Sequence, residues 1–334
     1  MKNTKRNFII IIVIALGVMI FSFRNDYANI LQMFSNINYL WLVVSIFLIL
    51  LFHFLDALYY YIYFKRIESD FSLYKAVQFQ QTGTFFSAIT PFASGGQVAQ
   101  IIVAQKQKID SKHSASVLMM SFISWQSVLV IFGAILLIIN FRRMNLEYSA
   151  IFNLVFLGFA INVGVISFLF LGSFSNVFHH FIFEKVIPFL GKIKIIKNIE
   201  VKKSITKNWL DSFRGNFQHL IGNKDLLFSR LTIDIVRIFL FYSISFFAAK
   251  SLNVDLQPNM FMYMLVLTAF VYMIAAFIPI PGAAGGSEGS FVLLLGPILG
   301  LATTSVMLLW RFISYYIPML VSFIVFVLIK EIKE

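Results

Sequence analysis

The sequence predicts an all-α polytopic membrane protein of about six to eight transmembrane helices, with two broken-helix hairpins related as an inverted repeat. Of the 334 residues, 59% are hydrophobic and only 13% are charged. A soluble domain of this size has too little interior to hide that much apolar surface. Proline and glycine interrupt the apolar sequence at two places. We therefore expect one integral membrane domain covering residues 1–334.

Long apolar runs predict the membrane spans. The runs cover residues 8–23, 40–64, 114–140, 151–172, 226–250, 260–278 and 303–329. Lysine and arginine near the ends of spans usually stay on the cytoplasmic side of a membrane. One arrangement of the spans places most of the basic segments of this chain on that side. Arg142 and Arg143 are exceptions. The sequence therefore predicts a multi-pass protein of the plasma membrane with both termini in the cytoplasm.

The runs divide the chain into two halves joined by a basic linker. We expect a first half at residues 1–172 with a break at 90–97, and a second half at 226–334 with a break at 279–289. The linker at 173–225 is rich in lysine and should be cytoplasmic. Apolar residues near helical spacing predict an amphipathic helix on the anionic inner leaflet, the alternative being a solvated basic loop. These residues are Ile195, Ile199, Ile205, Trp209 and Phe213.

The second break ends a helix inside an apolar region. Proline lacks the N–H that a helix needs, and glycine permits backbone angles closed to other residues. Broken helices at membrane depth are tolerated only where the freed backbone is buried in protein or lines a watery cavity. Ser287 is the expected N-cap of the restarted helix, with Glu288 in its first turn. The helix N-terminus predicts an anion site, and the alternative is a packing kink.

The first break lies in the segment 76–105, which has basic residues on both sides. Each half of this segment is about 15 residues or fewer, and about 1.5 Å per residue cannot cross a core of about 30 Å. The pattern predicts a re-entrant hairpin that enters from the cytoplasm. Amide side chains surround it and should bind the freed backbone or a lipid headgroup: Gln78, Gln81, Gln97 and Gln100.

The two breaks share the pattern Pro-x-x-x-Gly-Gly followed by a polar residue, at an offset of 190 residues. The first is reached from the cytoplasm and the second from outside. Inverted repeats whose discontinuous helices meet near the midplane are typical of transporters. Glu288 of the second break corresponds to Val98 of the first. The candidate substrate-binding residues are Pro91, Gly95, Gly96, Gln97, Pro281, Gly285, Gly286, Ser287 and Glu288.

Ionisable side chains inside apolar spans need a functional or structural reason, because each costs about 2.5 to 3.5 kcal/mol at the bilayer centre. Arg311 lies deep in the last span and is a candidate for binding a phosphate or for an ion pair with Glu288. Secondary candidates are two pairs with a spacing of three, which predict either mutual neutralisation or, for the first pair, a proton relay. The pairs are His53 with Asp56 and Asp234 with Arg237.

Several function classes lack any residue pattern in this sequence. There is no cysteine, and the five histidines lack metal-ligand spacing, so we expect no metal and no cofactor. There is no phosphate-binding Walker loop and no catalytic constellation, so enzymatic activity is not expected. The net charge of +12 is attributed to topology and anionic lipid rather than to nucleic acid.

The motif Pro279-x-Pro281-Gly282-x-x-Gly285-x-x-Glu288-Gly289, together with Arg311 and the earlier Pro91-x-x-x-Gly95-Gly96, resembles the lysylphosphatidylglycerol synthase transmembrane-region family. That family includes the flippase half of the bacterial multiple peptide resistance factor. The resemblance implies translocation of an aminoacylated phospholipid, such as lysylphosphatidylglycerol, or a related anionic-headgroup lipid from the inner to the outer leaflet, which confers resistance to cationic antimicrobial peptides.

The same resemblance implies roles for single residues and partners. Arg311 and the half-helix N-termini would bind the lipid phosphate, and Glu288 would bind the lysyl ammonium or a coupling proton. The sequence ends soon after the last span, so we expect the soluble synthase domain of longer members to be absent. Expected partners are anionic or aminoacylated phospholipids, a separate synthase and a second copy of the chain.

Two other classes of function remain open at this point. The first is a membrane enzyme, or a subunit of one, in lysylphosphatidylglycerol or envelope-lipid synthesis, which would need a catalytic pair near Glu288. The second is an ion-coupled carrier of a soluble solute. A carrier predicts a closed polar cavity, whereas a lipid route predicts a lateral opening between spans.

Overall fold

The computed structural model describes residues 32–192, 222–276 and 278–329, with scattered residues between 198 and 218. The predicted span at 8–23 and the apolar residues chosen for the linker helix lie outside these ranges. The main helices are α1 (Tyr39–Lys65), α2 (Leu73–Ala88), α3 (Gly95–Lys106), α4 (Ser111–Glu147), α5 (Ser149–Phe174), α6 (Lys224–Ser251), α7 (Met260–Ala275), α8 (Gly286–Leu299), α9 (Thr303–Arg311) and α10 (Ile317–Leu328). Short helical segments at Asn176–Phe181, Ile182–Val186 and Ile187–Lys192 follow α5.

The all-α polytopic membrane fold is confirmed. Among the residues that the structure describes, five helical stretches are long and apolar enough to cross a membrane, namely Tyr39–Lys65, Ser111–Glu147, Ile151–Phe168, Lys224–Ser251 and Pro281–Leu328. Within the described ranges the chain forms no strand. Large apolar side chains are exposed along α1 and α4, as at Val43 and Ile138. A surface of this kind is stable against lipid hydrocarbon and not against water.

Half-length helices flank each break. Helices α2 and α3 have 16 and 12 residues, and they pack against one another; α7 and α8 have 16 and 14 residues and do the same. At about 1.5 Å per residue, all four are shorter than a hydrocarbon core of about 30 Å. Gly96 permits the close approach of α3 to α2, because a Cβ there would lie 2.7 Å from the Gly83 carbonyl oxygen. Residues 76–105 thus form the expected two-helix hairpin.

The last span is continuous but irregular. A π-helical segment, Phe312–Tyr316, joins α9 to α10. Pro318 stands at the start of α10 and lacks the N–H that would bind the carbonyl one turn earlier, so the local hydrogen-bond pattern shifts. This segment carries Tyr315, four residues after Arg311 and on the same side of the helix.

The interior joins the two halves of the chain. Helix α6 packs along α1 and also against α7 and α4, and α10 packs against α2. The rings of Phe85 and Phe86 on α2 contact Phe326 on α10, with centroids 5.7 and 5.1 Å away. The first hairpin is therefore held between the helices of both halves.

Candidate functional site

The two breaks have the same backbone conformation over four residues. Thr90 and Ile280 are extended, with φ of −119° and −112°. Each following proline begins a short 3-10 turn, and the next residue enters the left-handed region at Phe92 (φ 52°, ψ 23°) and Gly282 (φ 62°, ψ 13°). The repeat found in the sequence is therefore also a repeat of backbone shape.

The two turns contact one another. Tyr315 links them: its hydroxyl donates to the Ala88 carbonyl at 2.8 Å, at the end of α2. Its ring packs on Gly282, where an added Cβ would lie 2.5 Å from the ring. Tyr315 was not predicted as a site residue, although an aromatic residue four positions after Arg311 shares its helix face.

Glu288 and Arg311 close the second break with an ion pair. The Glu288 carboxylate accepts the Gly285 N–H at 2.8 Å and the Ser287 hydroxyl at 2.7 Å. Arg311 Nε lies 2.8 Å from Glu288 Oε1, with its N–H not directed at that oxygen. Arg311 is 3% exposed, donates through Nη2 to the Gly282 carbonyl, and lies over the Tyr315 ring at 4.2 Å. The ion pair expected from the sequence is present.

The N-cap of α8 is Gly285, and Ser287 lies inside the helix. Ser287 was the expected N-cap, but the Glu288 side chain reaches back to the Gly285 N–H and takes over that function. The carboxylate thus occupies the positive end of the helix. The anion-binding groups predicted for this break exist, and in this conformation an internal anion fills them.

Hydroxyl groups close the first break. Thr90 Oγ1 accepts the Gly95 N–H at 2.9 Å and donates to the Phe86 carbonyl at 2.6 Å. Ser94 Oγ donates to the Pro91 carbonyl at 2.9 Å. This break therefore satisfies its freed backbone groups without an ionised side chain.

Four buried charged residues connect α1 and α6. Arg230 binds Asp56 at 2.7 Å and Asp234 at 2.8 Å. Arg237 binds Asp56 at 2.8 Å and Asp234 at 3.1 Å, and Ser124 donates to Asp234 at 2.7 Å. We call Asp56, Arg230, Asp234 and Arg237 the charge quartet. Arg230 was not predicted as a site residue. It lies four residues before Asp234 and seven residues before Arg237, and this spacing places all three on one helix face.

The expected Asp234–Arg237 contact is present, whereas His53 and Asp56 each bind other residues. His53 Nδ1 lies 2.9 Å from Gln80 Nε2. Asp56 binds the two arginines of the charge quartet. The spacing of three residues put both side chains on one face of α1, where partners from α2 and α6 reach them.

One cavity of about 670 Å³ joins these groups. Its volume falls in the range of about 300–1,000 Å³ typical of small-molecule sites. Both breaks, Arg311 and three members of the charge quartet line it, whereas Glu288 and Asp234 do not. The lining residues that bear on function are His53, Asp56, Gln80, Phe92, Gln97, Arg230, Arg237, Gly282, Ser287, Arg311 and Tyr315.

Most of the site residues predicted from the sequence converge here. Pro281, Gly285, Gly286, Ser287 and Glu288 form the second break beside Arg311. Of the first-break candidates, Pro91 lies in the turn that contacts the second turn, Gln97 lines the cavity, and Gly95 and Gly96 begin α3. Among the described residues, no three His, Cys, Asp or Glu side chains are grouped to hold a metal ion.

Comparison with known proteins gives the family. The family model described as "Lysylphosphatidylglycerol synthase TM region" matches residues 8–322 of the 334, a range that includes both breaks, the charge quartet and Arg311. No curated protein matches the chain significantly. The chain is a membrane protein connected with the handling of lysylphosphatidylglycerol or related lipids, and it belongs to the lysylphosphatidylglycerol synthase transmembrane-region family.

Proposed function

We propose that this protein is a lipid translocase of the plasma membrane. It moves an aminoacylated phospholipid, such as lysylphosphatidylglycerol or a related anionic-headgroup lipid, from the inner to the outer leaflet. Both termini are cytoplasmic, and a separate synthase supplies the lipid. The cell surface becomes less negative, which weakens the attraction of cationic antimicrobial peptides.

The observation that carries the proposal is the buried arginine in a cavity bounded by both breaks. Arg311 is 3% exposed and lines the cavity together with residues of each turn. A buried guanidinium beside a helix N-terminus is suited to a phosphate, because both supply N–H donors and positive charge. Two matched broken helices in contact are the architecture by which transporters expose one site to either side.

Glu288 gives the site an exchange mechanism. Its carboxylate holds the Gly285 N–H, the Ser287 hydroxyl and Arg311, which are the donors that a phosphodiester needs. A headgroup entering the cavity reaches Arg311 and displaces the carboxylate from it. Glu288 then returns when the lipid leaves, so the arginine is never buried without a counter-charge.

The test is lipid exposure in reconstituted liposomes. Fluorescent lysylphosphatidylglycerol and unmodified phosphatidylglycerol are placed in the inner leaflet, and their arrival outside is followed with an impermeant quencher. We expect the protein to accelerate exposure of the lysyl lipid at the outer surface. Glu288→Gln should slow this exposure at least tenfold, because the neutral amide no longer neutralises the charge of Arg311.

Glu147→Gln is the matched control. Glu147 also pairs with an arginine, Arg143, at 2.8 Å, but both side chains are about half exposed. It should retain wild-type exposure rates, because exposed ion pairs contribute little. Equal rates in Glu288→Gln and wild type would remove Glu288 from the mechanism. Exposure no faster than in protein-free liposomes for either lipid would contradict the translocase.

A further inference from the structure

The engagement of Glu288 leaves the cationic part of an aminoacyl headgroup without its expected partner. Glu288 is bound by the N-terminus of α8 and by Arg311, and it does not line the cavity. A lysyl group carries ammonium charges that need acceptors in a desolvated site. The acceptor must therefore come from another residue of the cavity wall.

Asp56 is the carboxylate that lines the cavity. Arg230 and Arg237 both contact its Oδ1, at 2.7 and 2.8 Å. Its Oδ2 forms no hydrogen bond with any residue that the structure describes. The charge quartet contains two arginines and two aspartates, so it is neutral and does not repel an approaching cation.

Gln80 is a second residue of the cavity wall with an unused acceptor. Its Nε2 lies 2.9 Å from His53 Nδ1 and 3.0 Å from Thr84 Oγ1, which commits both amide hydrogens. Its Oε1 is buried with no partner, although the residue is only 3% exposed and lines the cavity. A buried carbonyl oxygen without a donor is costly unless a ligand or water supplies one.

Aromatic rings complete the wall near these acceptors. Phe52, Trp125 and Phe241 line the cavity, and Phe52 contacts both other rings at centroid distances of 6.0 and 4.9 Å. The Arg237 guanidinium already lies 4.3 Å from the Phe52 centroid and 5.0 Å from that of Trp125. These contacts show that the rings present their faces to cations, and a ring face not covered by Arg237 can attract an ammonium group.

We propose an ammonium subsite formed by Asp56 Oδ2, Gln80 Oε1 and the rings of Phe52, Trp125 and Phe241. This subsite rests on the proposed lipid translocation and makes it more specific, because the phosphate and the ammonium of one headgroup bind at two different places. The phosphate binds at Arg311, and the lysyl ammonium binds between α1 and α2. The acceptor-rich composition selects primary ammonium headgroups over neutral ones of equal size.

The test measures binding, which does not depend on transport. Short-chain lysylphosphatidylglycerol and its doubly N-acetylated derivative are titrated calorimetrically against the purified full chain in detergent. The two ligands differ in their ammonium groups and share the phosphate. We expect wild type to prefer the lysyl ligand, Gln80→Met to lose about tenfold of that preference, and Gln80→Glu to increase it.

Gln81→Met is the matched control. Gln81 is the next residue of α2, is buried, and also has an unpartnered Oε1, but it does not line the cavity. It should keep the wild-type preference. The inference is overturned if wild type binds both ligands equally, or if Gln80→Met and Gln81→Met behave alike.

The same titration separates this inference from the proposed function. A preference that depends on Gln80, found in a protein that fails to expose lipid in liposomes, supports the subsite and overturns the translocase. A preference that vanishes in Glu288→Gln and survives in Gln80→Met assigns the ammonium to Glu288 and overturns the subsite.

Discussion

The two breaks begin with the same backbone shape and end differently. They agree from Thr90 and Ile280 through the left-handed residues that follow each proline. At the next position Ser94 is already helical, with ψ of −22°, whereas Ala284 is extended, with ψ of 139°. Helix α8 therefore starts one residue later in the repeat than α3 does.

This one-residue difference decides which chemistry each break carries. Counted from its helix start, Glu288 is the third residue of α8, from which a side chain reaches the N-cap. The third residue of α3 is the neutral Gln97, and hydroxyls of Thr90 and Ser94 close that break. The first break is closed by neutral hydroxyls and the second by an ion pair, and under the proposed function only the second exchanges an ion.

The largest expected effect concerns the ionic break. Arg311→Gln should reduce lipid exposure in liposomes at least a hundredfold, because breaking a buried ion pair costs about 3–5 kcal/mol and the phosphate loses its guanidinium. Normal transport by this variant would show that the ion pair of the second break is not needed for transport. Arg143→Gln, in an exposed pair, is the control and should transport at the wild-type rate.

A charge exchange distinguishes binding from stability at the same position. The double variant Arg311→Glu with Glu288→Arg restores opposite charges but removes the cation from its place on α9. It should recover part of the thermal stability lost in Arg311→Gln and none of the transport. Recovery of transport would show that Arg311 only holds the break together.

The second effect concerns Gly282, the left-handed residue of the second turn. Gly282→Ala should lower the melting temperature in detergent by about 5 °C or more, because the new Cβ meets the Tyr315 ring at 2.5 Å and φ is +62°. Gly289→Ala, where an added Cβ has no neighbour within 4 Å, is the control and should not lower it. If Gly282→Ala and the wild type had equal melting temperatures, the contact between Tyr315 and Gly282 would not constrain the turn.

A smaller effect is expected in the break closed by hydroxyls. Thr90→Val should cost about 1 kcal/mol of stability, because the Gly95 N–H loses its acceptor, and it should leave transport nearly unchanged. Thr90→Ser keeps the hydroxyl and serves as the control. Thermal unfolding measures the loss of stability, and the liposome assay measures transport. If Thr90→Val lost as much transport as Arg311→Gln, the two breaks would not differ in function.

The smallest effect is expected at Phe92, the counterpart of Gly282. Phe92 is 65% exposed and holds a φ of 52°, which glycine adopts without strain. Phe92→Gly should raise the free energy of unfolding by at most about 1 kcal/mol, since greater flexibility of the unfolded chain offsets part of the relief. Chemical denaturation measures it, with Phe92→Ala as the control that keeps the strain.

Hydropathy and proline–glycine spacing were sufficient to predict the framework of the fold. Apolar runs marked the helices within a few residues, except that α4 continues to Glu147 past the basic pair Arg142 and Arg143. Charged residues end a membrane span without ending a helix, so hydropathy could not give that bound. The Pro-x-x-x-Gly-Gly pattern located both breaks because each residue type has a backbone requirement there.

The partners of individual side chains were harder to predict than the framework. Arg311 and Glu288 were paired because a buried charge needs a counter-charge. Tyr315 was missed because its acceptor is Ala88, 227 residues away, and no local spacing encodes that contact. Gln80 was missed for a similar reason: other amides of this segment were predicted to bind freed backbone or a lipid headgroup, whereas the amide nitrogen of Gln80 contacts His53 of another helix.

The balance of the interior charges has an electrical consequence. In the described part of the chain, the charge quartet and the Glu288–Arg311 pair together set three arginines against three carboxylates. Under the proposed function, a headgroup crossing this neutral interior would carry its own charge through the membrane potential. A lysyl lipid with a single net positive charge would move outward against an inside-negative voltage, at about 2.3 kcal/mol per 100 mV, and its passage would register as a current.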